Sequence, residues 1–247
     1  MTWPDIPPGS RPRTKEPAIT VTTTSLTRAA GISAAVAGLL FIAVQINHPP
    51  MDVSSVTTTE WAVRFTAKLI MAATALAGIT GMYLRQVRQT GILGLVGYLL
   101  FSVGYLVMMG IEFVGAYVLP SLAHTAPAYV NDVLAAAVGG TVRGDIGLMQ
   151  PAFVISSVGY LAGGVLFGIA LFRARVLARW ASGLLVLGTL ATLAIPVLPH
   201  SFERPLAVPT GVALIGLGIS LWRDQRKTAA ITADDLAPAR VEPAAVR

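Results

Sequence analysis

Glu112 lies inside the apolar stretch from Ile92 to Leu119, and no other strongly hydrophobic run of the chain holds an acidic residue. An ionisable side chain at bilayer depth is costly to keep, so it is normally paired or turned toward a cavity, and it marks a functional site by default. Its partners follow from helical spacing. The segment WAVRFTAK puts Arg64 and Lys68 at i and i+4, on one face of a helix. Lys68 is seven residues past Trp61 and Glu112 seven residues short of Leu119, which sets both about 10 Å below one boundary. Counted from the opposite turn, Glu112 rises about 31 Å above Gly91 and Arg64 about 30 Å above Leu84, a match that pairs the carboxylate with Arg64 instead. Either count leaves one carboxylate facing a basic ladder, and Gln45 and Gln150 fall near the same boundary. The candidate binding cluster is therefore Glu112, Lys68, Arg64, Gln45 and Gln150. As plain architecture it is an ion-pair staple fixing the register of two helices, a weak source of stability because desolvation offsets most of the attraction. Arg64 would then snorkel toward the headgroups. As chemistry it is a carboxylate that changes partner when a solute, lipid headgroup or proton arrives.

Other residues able to do chemistry are sparse. His48, His124 and His200 sit at or beyond the ends of three apolar runs, on one side, near Asp145, Glu203 and Arg204. A zinc site would take two or three of these histidines, His48 and His200 first, with a carboxylate. No H-x-x-x-H or H-E-x-x-H pair occurs, so each ligand would have to come from a different element. A bis-histidine haem needs ligands facing one another inside a bundle, and these lie too near its edge. With no cysteine there is no thiol nucleophile, disulfide frame or iron–sulfur cluster. The chain also lacks a G-x-x-x-x-G-K-[ST] loop and a G-x-S-x-G elbow. Ser102, Ser156 and Ser157 have no histidine placed to activate them and read as interhelical hydrogen-bonders. No metal and no cofactor is expected.

The elements that must hold these residues are membrane spans. The chain is 54% hydrophobic and 12% charged, with a mean hydropathy of +0.69; an ordinary soluble domain carries roughly twice that charged fraction. Six apolar segments succeed one another, at about 29–47, 62–84, 91–119, 148–172, 180–198 and 206–222. Each approaches or exceeds the ~20 residues that cross ~30 Å of hydrocarbon. Their continuous apolarity excludes a barrel, whose strands alternate. What remains is an all-α polytopic membrane protein, six transmembrane helices in a bundle. Residues 1–27, rich in Pro, Thr and basic side chains, and residues 223–247 read as disordered tails. The loop 120–147 contains Tyr129–Val138, too short to span and flanked by Pro127 and Gly139-Gly140. It reads as a short helix lying at the interface or dipping over the bundle.

A net charge of +6 and a pI near 10.1 raise the question of nucleic acid, and position answers it. With the N-terminus inside, 14 of the 18 Lys and Arg fall on the inner side, and only Arg64, Lys68, Arg143 and Arg204 on the outer. That bias is the one expected in the cytoplasmic membrane with both termini inside. Trp61 then falls at the outer interface and Trp180 and Trp222 at the inner one, where indole rings settle. The expected partners are the lipid bilayer and a homodimer mate or another membrane protein, with no nucleic acid. Short turns at 85–91 and 173–180 make the helices on either side antiparallel neighbours. Gly159 with Gly163, Gly164 with Gly168, and Gly94, Gly97 and Gly104 mark close helix contacts, within the chain or in a dimer. Pro196 and Pro209 would kink their helices.

The first helix ending in QINHPP, the second as TTTEWAVRFTAKLIMAATALAGITGMYLRQ, and the last two as RWASGLLVLG and LPHSFERPLAVPTGVAL resemble six-helix integral membrane proteins of Ala- and Arg-rich bacterial proteomes, over roughly 29–222. The resemblance implies the helix count and no activity, substrate or cofactor. The residues themselves leave three functions open. One is binding or transport of a small solute or lipid through a polar site in the outer leaflet. The second is a non-catalytic accessory or assembly protein that meets other membrane proteins through its glycine-rich faces. The third is an outer-facing membrane hydrolase with histidine ligands.

Overall fold

The computed structural model describes residues 22–197 and 205–235, with side chains for 22–194 and 205–224; every element in it is helical. Helix α1 (Thr23–Ala43) begins inside the Thr-rich run that the sequence reading gave to the tail. Thr22 Oγ1 accepts from the Ser25 N–H at 3.1 Å and Ser25 Oγ accepts from the Thr22 N–H at 3.0 Å. That reciprocal box satisfies two of the donors a helix start leaves bare. Residues 1–21 lie outside the described residues.

Then come α2 (Val53–Val56), α3 (Thr59–Arg85) and α4 (Val87–Phe113), the last prolonged by a π-helical turn, Val114–Val118, and by α5 (Leu119–Leu122). After α6 (Pro127–Ala137) and α7 (Met149–Ala174), α8 (Arg179–Ala191) gives way to a 3-10 turn, Thr192–Val197. A second 3-10 turn, Pro205–Ala207, leads into α9 (Val208–Asp235). Among the described residues, five helices are long and apolar enough to cross a membrane: α1, α3, the stretch Val87–Leu122, α7 and Pro205–Asp224. The segment expected at 180–198 differs, because its α-helix stops at Ala191. Pro196 has no N–H to offer the Thr192 carbonyl, and the chain tightens into a 3-10 turn from Thr192 onward. Pro209 needs no kink, since it stands in the first turn of α9, where no N–H is required. That helix runs on to Asp235, past the boundary read at 222; residues 236–247 lie outside the described ones.

The long helices form a closed ring in chain order: α1 packs on α3, α3 on α4, α4 on α7, α7 on α8, α8 on α9, and α9 back on α1. Neighbours are antiparallel. On α4 and α7, Gly97 meets Phe167, Phe101 meets Gly163 and Gly104 meets Tyr160. On α8 and α9, the Ala178 N–H donates to Ser220 Oγ at 2.9 Å, while Gly188 meets Thr210. Helices α1 and α9 cross through Gly31 with Gly218 and Gly38 with Gly211, so both ends of the described chain leave the ring at one end, called here the terminus end. These backbones approach because no Cβ intervenes; one added to Gly31 would stand 2.8 Å from the Gly218 carbonyl oxygen. Gly159 and Gly163 face α4, and Gly164 and Gly168 face α8. The glycine pairs that suggested a dimer face are therefore packed within the chain.

The opposite end is capped. Val130, Val133 and Leu134 of α6 are buried with Trp61, Phe65, Ala116 and Leu119 in an apolar cluster separate from that of the ring. Trp61 is thus fully buried, not part of an interfacial belt. Its burial follows from the π turn. The Leu119 N–H closes on the Val114 carbonyl; the same register would give the Gly115 carbonyl to residue 120, a proline without an N–H. The Trp61 indole N–H donates to it instead, at 2.9 Å.

Candidate functional site: a chamber under the cap

A cavity of about 570 Å³ lies at the capped end of the ring. Helices α1, α3, α4 and α7, the turn after α8 and the turn before α9 all contribute to its wall, as do Ala137, Val138 and Gly139 at the end of α6. Its size is that of pockets holding small molecules. On its floor the rings of Phe41 and Tyr160 stack, 6.4 Å apart and 9° from parallel. The polar groups there are satisfied: the Tyr160 hydroxyl donates to Thr210 Oγ1 at 3.1 Å and the Ser156 hydroxyl to the Gly104 carbonyl at 3.2 Å. Below the floor, Phe101, Tyr105 and Phe167 are fully buried and fill the middle of the ring.

The charge is on the side wall. Lys68 Nζ lies 4.0 Å from Glu112 Oε2, the two side chains being 15% and 14% exposed, and the ammonium sits 4.2 Å from the centre of the Phe65 ring. At that distance the pair attracts without a hydrogen bond. Glu112 Oε2 is buried and no donor reaches it among the described residues.

Of the five residues in the expected cluster, Glu112, Lys68 and Gln45 line the chamber, while Arg64 and Gln150 do not. Arg64 is held by four acceptors on its own side: the carbonyls of Val44, Ile46 and Asn47, at 2.7 to 3.1 Å, and the Glu60 carboxylate at 3.0 Å. It caps the carbonyls left bare at the end of α1, where the chain turns through a left-handed Asn47. There it borders a separate cleft of about 320 Å³ between α1 and α3. Gln150 is exposed in the first turn of α7. Counting depth from Trp61 therefore finds the partner of Glu112, and counting from the other end does not, because those carbonyls compete for Arg64.

His48 lines the chamber too; its Nδ1–H donates to the Pro49 carbonyl at 2.7 Å and its ring meets Phe65 edge-on, 6.1 Å away. His124 is exposed elsewhere, and His200 lies outside the described residues. Among the described residues no three His, Asp or Glu side chains gather as a metal site. Phe41, Met108 and Phe153 could not be recognised in advance as wall residues, since apolar positions in an apolar span carry no mark of facing a cavity. Ser156 does bond between helices, whereas Ser157 faces the chamber. Compared with known proteins, the chain matches no family model, no curated protein and no solved structure.

Proposed function

We propose that this chain is a multi-pass protein of the cytoplasmic membrane that crosses six times with both ends inside and binds a small amphiphilic solute or lipid in the chamber. For the crossings, α8 and its 3-10 continuation together rise about 30 Å, enough for the hydrocarbon core. Arg85, Arg88, Arg173, Arg175, Arg179 and Arg223 gather toward the terminus end, the side that the positive-inside rule assigns to the cytosol. The chain has no cysteine, so single cysteines report cleanly. One at Ser121 should react with an impermeant thiol reagent in intact cells and one at Gln89 should not; the reverse pattern ends this topology.

One observation carries the binding reading: a charged pair, Lys68 and Glu112, on the wall of an otherwise largely apolar chamber. A wall of that kind suits a ligand with an apolar body and one polar head. The filled ring below the floor supports binding over passage through the molecule. Purified protein should carry about one co-purifying amphiphile per chain by native mass spectrometry. Ser157→Trp, which fills the chamber from an accessible wall position, should lose it while remaining folded. Equal retention by both proteins counts against the chamber as the site.

A further inference from the structure

The turn at 175–178 joins α7 to α8 at the terminus end and is fastened from beneath. Leu177 is buried in the ring's cluster, Val176 packs against it, and Ser220 Oγ holds the Ala178 N–H at 2.9 Å. What the turn displays is positive. Arg173, Arg175 and Arg179 are all exposed, and among the described residues none of them has an ion-pair partner. Packing register adds two more. Gly97 faces Phe167 and Gly104 faces Tyr160 across α4 and α7, which sets the exposed Arg88 level with the turn, and Arg223 follows Ser220 by three residues on α9. Asp224 is the one carboxylate with a described side chain at this end, and Arg85 meets it at 2.6 Å.

The positive-inside rule accounts for arginine here in number, but it is indifferent to position. Arg175 closes α7 at φ 57°, ψ 21°, in the left-handed region where a Cβ crowds the backbone and where helices ordinarily place glycine. An arginine kept at a glycine position points to a use for its side chain. Arg179 is braced as well, its guanidinium 4.3 Å from the centre of the Phe172 ring. Phe172 and Trp180 are themselves 38% and 60% exposed, an apolar border of the kind that settles at headgroup depth.

We propose that the α7–α8 turn binds the headgroup of an anionic phospholipid, with Arg173, Arg175 and Arg179 receiving its phosphate and its acyl chains lying along Phe172 and Trp180. A guanidinium fork matches a phosphate through two parallel hydrogen bonds, and an arginine already braced on a ring gives up little freedom on binding. The lipid is held, not altered. The assignment rests on the reading that the chain resides in a bilayer and is independent of the chamber.

The test counts lipids retained on the full chain by native mass spectrometry, from mixed micelles containing dioleoylphosphatidylglycerol or dioleoylphosphatidylcholine. The wild-type protein should hold phosphatidylglycerol at least about tenfold more tightly. Arg175→Gly and Arg179→Gln should each weaken it about fivefold, the factor one arginine near an anionic surface contributes. In lipid-free micelles the thermal unfolding midpoint of Arg175→Gly should stay the same or rise by up to about 4 °C, because glycine relieves the backbone. Arg28→Gln removes the same charge from α1, across the ring, and should change the affinity by less than about twofold. The proposal is overturned by equal weakening in Arg28→Gln and Arg175→Gly, which means diffuse charge, or by a wild-type protein that does not prefer phosphatidylglycerol. It is also overturned by a lowered midpoint in Arg175→Gly, which gives that arginine a structural reason. Displacement of the lipid by inorganic phosphate but not by acetate of equal ionic strength makes a soluble phosphate the ligand and overturns the lipid assignment. A chain that retains neither phospholipid overturns the bilayer reading itself.

Discussion

Pro120 contributes a missing N–H, and Trp61 answers it from another helix. Trp61→Phe keeps most of the apolar surface but strands the Gly115 carbonyl as a buried acceptor, and should cost about 1–3 kcal/mol in equilibrium unfolding in mixed detergent micelles. Pro120→Ala restores a donor within the helix, so in that background the same Trp61→Phe change should cost less, by more than about 0.5 kcal/mol. Additive effects would show that the proline does not orphan the carbonyl. Asp52 makes a different residue-scale case, outside the spans. It caps α2, accepting from the Ser54 hydroxyl at 2.7 Å and the Ser55 N–H at 2.8 Å. Ser54 first, then the Ser55 amide, hold its carboxyl below the usual aspartate range. A carboxyl whose value is lowered on folding stabilises fully above its unfolded value, and that contribution is lost as pH falls through the folded one. Hydrogen-exchange protection of the Ser55 amide, corrected for intrinsic rate, should therefore be complete at neutral pH and fade in strong acid; in Asp52→Asn it should stay flat across that range. Glu112 was legible from the sequence for the opposite reason to the chamber's apolar wall. A charge in an apolar span must be accounted for, while Phe41, Met108 and Phe153 look the same whether they face lipid, core or cavity.

Elements were legible where a residue type enforces a boundary. Pro127, which opens α6, and Gly139 after it framed the capping helix to within a residue or two, and the short turns predicted the α3–α4 and α7–α8 pairs. Boundaries failed where the same residues serve two structures. The Thr-rich run in which α1 begins reads as tail by composition, and its helix start is marked by Ser25 standing three residues after Thr22. The α8 segment is continuous in hydropathy, yet Pro196 ends its α-helix early. The ring closure was illegible because Gly31, Gly38, Gly211 and Gly218 are lost among 24 glycines; only their partners distinguish them. Close approach separates glycines by consequence. A Cβ on Gly163 would meet the backbone of Leu100 and Phe101, which cannot yield as a side-chain tip can, whereas one on Gly110 would meet nothing within 4 Å. Gly163→Ala should therefore destabilise by about 1–3 kcal/mol, and Gly110→Ala should leave stability unchanged or raise it by up to about 1 kcal/mol. Similar losses at both positions would mean that helix propensity, not α4–α7 packing, governs these glycines.

At the scale of the molecule, two apolar clusters divide the labour. The ring's cluster runs through all six helices, and at the terminus end Arg85 and Asp224, 2.6 Å apart, join α3 to α9. The cap's cluster joins Val56 of α2, Trp61 and Phe65 in the first turns of α3, the π turn with α5, α6 and Ile146, with Met149 and Phe153 of α7 packed against it. Asp132 of α6 accepts from the amides of Arg143 and Gly144 in the loop that follows, at 3.0 and 2.8 Å, tying that loop back to the helix. Since a unit with few buried contacts opens at lower free energy than the fold as a whole, the cap can loosen while the ring stays closed. Val133 isolates that motion: it is 2% exposed, belongs to the cap cluster and does not line the chamber. Val133→Asp puts an unpaired charge into the cap alone, which favours the open cap. A cysteine placed at Met108, on the chamber wall, should then react with a small aqueous thiol reagent at least about tenfold faster than in the otherwise unchanged protein, equivalent to ~1.4 kcal/mol of easier opening. A cysteine at Gln89, exposed at the far end, should react at the same rate in both proteins. A uniform rise at the two positions would mean that the cap and ring open as one unit, and no rise at Met108 would mean that ligands enter the chamber between ring helices, through the membrane face rather than under α6.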